Sequence, residues 1–116
     1  MAINVLTHRD TDVDNTAQVI KAAPGFLHYV HVANPNTDAA WLHLYDAAAA
    51  DVTVGTTTPK QSYMVPGGSA TNPGGFDLPL GNHQMYFGTA ITYAATTTVG
   101  GGADPTTGLV LNAHYS

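Results

Sequence analysis

The chain has 116 residues, no cysteine, 9% charged residues and a formal net charge of -5. That is enough for one domain, residues 1–116, and too few for two. It excludes disulfide frameworks and thiolate chemistry, and Arg9, Lys21 and Lys60 as the whole cation set argue against nucleic-acid and anionic-membrane partners.

Ordinary globular domains carry about 25% charged residues. A surface this poor in charge suits a protein held in an assembly better than a free monomer. The opening MAINVLTHRD has neither a basic segment nor a long apolar core, so no secretory signal is expected. No run approaches the ~18 apolar residues of a membrane-spanning helix.

Period-2 alternation recurs along the chain and helical periodicity does not. The predicted strands are Ile3–Thr7, Ala17–Ala22, Phe26–Ala33, Trp41–Asp46, Gln61–Val65, Gly75–Leu80, Gln84–Ala94 and Leu109–Tyr115, with Asp51–Val54 as a short extra. Asp46–Asp51 is helix-friendly but too short for more than one turn. Loops 66–75 and 96–105 are rich in Gly, Pro and Thr, long for a compact domain, and therefore functional or mobile. About eight short strands without helices predict an all-β fold, an antiparallel β-sandwich of jelly-roll type. An immunoglobulin-like sandwich is the alternative.

The stretch Tyr29–Pro59 reads as two strands around Asn34-Pro-Asn-Thr-Asp-Ala-Ala40. Paired as a hairpin, Val32 lies opposite Leu42 and Val30 opposite Leu44, making one aliphatic face. The other face then pairs His31 with His43 and Tyr29 with Tyr45, with Leu27 and Trp41 alongside. Uncharged aromatic surface of this kind marks interface cores, so Tyr29, His31, Trp41, His43 and Tyr45 are the candidate contact residues. Asp46 is expected to face His28 across the same hairpin.

Catalytic and metal chemistry find little footing. His31–His43 is the one plausible two-ligand pair, short of the four that a closed site takes. Asp10-Thr-Asp12-Val-Asp14 matches the start of a calcium loop. It then fails, with Asn15 where the loop wants Gly and Lys21 where it wants Glu. It reads as an acidic connector. The chain has no Glu, no nucleophile elbow and no phosphate loop. No enzyme activity, cofactor or metal is expected.

The run Val32-Ala-Asn-Pro-Asn-Thr, the aromatic strand ending Tyr45-Asp46-Ala, Val52-Thr-Val-Gly-Thr-Thr-Thr-Pro59 and Tyr63-Met-Val-Pro-Gly-Gly68 resemble small tailed-bacteriophage virion proteins. Gly88-Thr-Ala-Ile91, Ala94-Ala-Thr-Thr-Thr98 and Gly108-Leu-Val-Leu111 with Tyr115 are similar to the same group. The resemblance implies a capsid decoration, or cement, protein on the virion surface, made in the host cytoplasm. It implies a homotrimer whose partner is the major capsid protein. The alternative is a carbohydrate- or receptor-binding module of a tail or fibre, with Trp41, Tyr29 and Tyr45 as a stacking platform.

Overall fold

The computed structural model describes residues 4–116. It has nine strands: β1 Leu6–Val13, β2 Gln18–Lys21, β3 Gly25–Asn34, β4 Ala40–Tyr45, β5 Gln61–Val65, β6 Gly74–Pro79, β7 Met85–Phe87, β8 Ile91–Thr96 and β9 Leu109–Tyr115. A single 3-10 turn, Ala49–Asp51, is the one helical segment among the described residues. Sheet A runs β1-β9-β3-β6, with β7 continuing the β6 edge along the first part of β3. Sheet B runs β2-β8-β4-β5.

Every pairing is antiparallel, and the pairs nest. β4 pairs β5, β3 pairs β6 and β7, β2 pairs β8, and β1 pairs β9. Counting β6 and β7 as one interrupted strand, this is a long hairpin wound over itself into two sheets, the connectivity of a jelly roll. The predicted β-sandwich of jelly-roll type is the fold.

The core lies between the sheets. Val30, Val32, Leu42, Leu44, Leu109 and Leu111 are fully buried, as the alternation predicts, and Tyr93, Phe87 and Ile91 fill the remaining space. The expected β3–β4 hairpin, however, does not exist. β3 lies in sheet A and β4 in sheet B. The apolar faces meet across the sandwich instead of lying side by side in one sheet. Alternation specifies which side of a strand faces inward, and both arrangements satisfy it.

The cause of the crossing is local. Asn34, fully buried, donates from Nδ2 to the carbonyls of Asp38 (3.0 Å) and Val65 (3.2 Å). Its Oδ1 accepts the Asn36 backbone N–H (3.0 Å) and the Asn36 side-chain amide (2.8 Å). Asn36 in turn exchanges bonds with the backbone of Thr107 (both 2.8 Å). These two amides stand in for the backbone ladder that a tight hairpin would supply. They turn the chain out of sheet A and into sheet B.

Other boundaries differ from expectation for physical reasons. β1 begins at Leu6 and runs through the acidic segment, so Asp10 and Asp12 are strand residues and not part of a connector. It is an edge strand, where carboxylates reach water. Ile3 of the predicted strand lies outside the described residues. The predicted strand Gln84–Ala94 is broken at Gly88–Ala90 into β7 and β8, one in each sheet. Asp46 holds that break: its carboxylate accepts the N–H groups of Gly88 (2.9 Å), Thr89 (2.8 Å) and Ala90 (3.4 Å). It therefore does not face His28, whose Nε2 meets Ser116 Oγ at 2.8 Å. Asp51–Val54 is a turn and not a strand. Loop 66–75 is packed: a Cβ on Gly74 would overlap the carbonyl of Pro66.

Replacing Asn34 tests the crossing. Asn34→Ala removes the partner of the Asn36 backbone N–H and the amide bonds to the Asp38 and Val65 carbonyls at a half-buried corner. The expected loss is about 2–4 kcal/mol. It should appear in urea titration as a lower midpoint with an unchanged slope. A loss below about 0.5 kcal/mol, the size of an ordinary surface change, would show that the corner is held by something else.

Candidate functional site

The five predicted contact residues fall on two opposite surfaces. Tyr29 and His31 lie on the outer face of sheet A. Trp41, His43 and Tyr45 lie on the outer face of sheet B, since their neighbours Leu42 and Leu44 point into the core. They cannot form one contact surface. His31 and His43 cannot share a metal, and Tyr29 cannot join Trp41 and Tyr45 in one stacking platform. Leu27, expected on the aromatic face, is fully buried in the core. The pairing register slips between Leu27 and Tyr29, where two steps on β3 match one on β9. His28 is the extra residue of a β-bulge, and it reverses the side on which earlier β3 residues lie.

The outer face of sheet B is largely closed. His43 and Tyr45 are each only 2% exposed. They floor a cleft of about 170 Å³ walled by Gly55–Pro59 and Val99–Gly101. Gly55 holds a left-handed φ of 90° there, which favours glycine. Thr96 Oγ1 donates its hydrogen to the Thr98 carbonyl (2.6 Å), so it must accept from His43 Nε2 (2.8 Å). Ser62 Oγ then donates to His43 Nδ1 (2.7 Å). The network selects the neutral imidazole with its hydrogen on Nε2. Burial lowers the His43 pKa in the same sense. His43 is thus a structural plug with both nitrogens occupied.

A second polar chain links the sheets. Tyr93, from β8 of sheet B, donates to Asp10 Oδ2 on β1 of sheet A (2.7 Å). Having spent its hydrogen, its hydroxyl accepts from His8 Nε2 (2.8 Å). Burial first, then the Asp10 bond and charge, push the Tyr93 pKa far upward. Burial lowers the His8 pKa against an opposing pull from Asp10. A tyrosine held neutral by a carboxylate is a tie between sheets and not an activated nucleophile. Among the described residues no group of three or more His and Asp side chains is arranged to hold a metal ion.

Sheet A is different. Its outer face is open, and register places three rows across it. One is Thr7, His114, Tyr29, Pro79. The next is Arg9, Asn112, His31, Asp77. The third is Val110, Ala33, Gly75. Asp77 Oδ1 accepts from the Tyr29 hydroxyl (2.7 Å) and pairs with His31 Nδ1 (2.6 Å). Those bonds hold the Asp77 carboxyl below its ordinary range. The Tyr29 and His114 rings lie 5.1 Å apart.

One end of the same sheet is apolar. Among the described residues, exposed Leu6 (51%), Phe26 (40%) and Tyr86 (53%) lie at that end, with Val5 (46%) just before β1. Leu6 pairs with Tyr115, which also pairs with Leu27, and Phe26 pairs with Tyr86. The Phe26 and Tyr86 rings are 5.1 Å apart. Alternation had put Phe26 on a strand but could not show its neighbours, Tyr86 of β7 and Ser116 just after β9. Arg9, Asp77, Asn112 and His114 were missed for the same reason.

Comparison with protein-family models, curated proteins and solved structures finds no match. The site must be read from its own chemistry.

The two lowered histidines set a pH dependence. The unfolded chain takes up protons as pH falls through about 6.5, while folded His8 and His43 resist them. Stability from these groups is fully present above that pH and is lost as pH falls toward the folded values. The urea midpoint should therefore drop between pH 7 and pH 5, and His43→Gln should flatten the drop. A midpoint that rises toward pH 5 would contradict the assignment.

Proposed function

We propose that the chain is a virion structural protein, a decoration subunit that adds to an assembled phage capsid and stabilises it. The observation that carries this reading is the apolar end of sheet A. Phe26 and Tyr86, their rings 5.1 Å apart, leave water-facing apolar surface from β3 and β7 in one place, and exposed Leu6 of β1 lies at the same end of the sheet. Such gathered surface marks a contact site, whereas scattered single residues do not. The low charge of the chain favours the same use, because a lattice subunit keeps little surface in water.

A jelly roll suits the task. Its strands hold both sheets rigid, so surface is presented with little ordering cost on binding. A subunit that recognises only the closed lattice raises lattice stability by mass action. The major capsid protein would be the partner and the virion surface the location. The closed trimer implied by the resemblance belongs to this proposal, with the apolar end as the shared contact. The role needs no catalysis, and the polar chains at His43 and Tyr93 serve the fold.

The test is binding to purified capsids that lack the protein. The native chain should co-sediment with them and raise their temperature of disruption. Phe26→Ser combined with Tyr86→Ser should lower the affinity at least tenfold while the far-ultraviolet spectrum stays unchanged. Undiminished binding by the double variant would reject the apolar end as the contact. Absence of any binding by the native chain would reject the decoration role.

A further inference from the structure

We propose that the open outer face of sheet A is a second interface, and that its occupant is another copy of this chain packed against it about a two-fold axis. The inference is independent of the capsid reading and uses a different surface.

The case rests on the charge order of one row. From β1 to β6 it reads Arg9, Asn112, His31, Asp77. The cation stands on one edge strand and the anion on the other. Among the described residues Arg9 makes no side-chain hydrogen bond or ion pair, the one such pair being His31–Asp77. Asp77 spends Oδ1 on Tyr29 and His31, and Oδ2 makes no hydrogen bond among the described residues. Both side chains are exposed, Asp77 at 60%.

Strands lie about 4.8 Å apart, so Arg9 and Asp77 are separated by about 14 Å across the face. Place a two-fold axis parallel to the strands, between β9 and β3. The rotation carries β1 onto β6 and β9 onto β3. Arg9 of each copy then faces Asp77 of the other, giving two ion pairs. Asn112 faces His31 of the other copy, whose Nδ1 is held by Asp77 and whose Nε2 makes no hydrogen bond among the described residues. In the adjacent row His114 faces Tyr29, and in the third Val110 faces Ala33. The strands of the two copies run aligned, as in ordinary face-to-face sheet packing about 10 Å apart. The row is complementary to itself because Arg9 and Asp77 stand at mirror positions about the axis. A two-fold contact requires such self-complementarity.

The contact is small. Four strands and three rows give roughly 400 Å² of flat face per copy, about half the standard interface. The association should therefore be weak, with dissociation constants of tens to hundreds of micromolar, and it should weaken with salt.

The test uses the full chain carrying Phe26→Ser and Tyr86→Ser, which removes the apolar end from consideration. Sedimentation at 0.01–1 mM should show a monomer–dimer equilibrium. Arg9→Asp alone, or Asp77→Arg alone, should raise the dissociation constant at least tenfold. The swap Arg9→Asp with Asp77→Arg should restore dimerisation, since each copy again carries both charges. If a swapped chain fails to fold, a nitroxide on Thr7→Cys in unlabelled chains should broaden the Leu78 and Leu80 amides of ¹⁵N-labelled chains mixed with them. A monomer at 1 mM, single variants that dimerise normally, or broadening confined to the apolar end would each overturn the proposal.

Discussion

The crossing between β3 and β4 governs most of what is distinctive here. Two asparagine side chains, Asn34 and Asn36, satisfy six hydrogen-bonding partners at one corner. They tie the end of β3 to the end of β5 and to the loop before β9. A buried amide is worth its cost only when all of its groups are paired. Asn34 meets that condition with both donors and its acceptor. Once the chain turns there, β4 must begin in the opposite sheet, and the nested pairing follows. The aromatic residues that neighbour one another in sequence are then distributed over opposite surfaces.

That distribution marks the limit of what could be read from sequence. Side alternation was legible because it is a property of each strand alone. Val30, Val32, Leu42 and Leu44 all point inward as expected. Strand partnership is a property of pairs, and Asn-Pro-Asn-Thr-Asp is an equally good turn for a hairpin or for a crossing. The bulge at His28 carries no mark in composition, yet it sends Leu27 to the core. Burial of His43 was equally hidden. Its own strand presents it outward, and only loops from 55–59 and 99–101 cover it. The cross-strand row on sheet A was invisible for a related reason. Arg9, Asp77 and Asn112 are separated by dozens of positions and become neighbours only through sheet pairing.

The low charge content also acquires a physical meaning. Of the eight aspartates, Asp10, Asp14, Asp46, Asp77 and Asp104 accept hydrogen bonds from this chain's own groups. Asp46 illustrates the point. Desolvation opposes its charge, but three backbone N–H groups and nearby Lys60 outweigh that and lower its pKa. Carboxylates in this chain are mainly devices for ending strands and fixing loops. Solubility is left to Thr, Ser, Asn and Gly, which hydrate without strong fields. Such a surface is neither steered toward charged partners nor strongly repelled by copies of itself.

The two outer faces therefore have opposite roles. On sheet B, loops close over His43 and Tyr45, and Thr92 and Thr96 bond to the adjoining carbonyls of Ala47 and Thr98. What that face leaves open is half-buried Trp41 beside exposed Met64, with exposed Val99 in the covering loop. On sheet A no loop crosses the rows, and its end carries the gathered apolar residues. Evolution of an edge-rich β-protein toward solubility normally blunts such surfaces with lysine or added loops. Here Lys21 and Lys60 lie elsewhere, and the one cation on the face, Arg9, is set against an anion at the far edge of the same row. A face left open, poor in charge, and ordered so that its charges can meet their opposites has the physical make-up that the proposed self-contact requires.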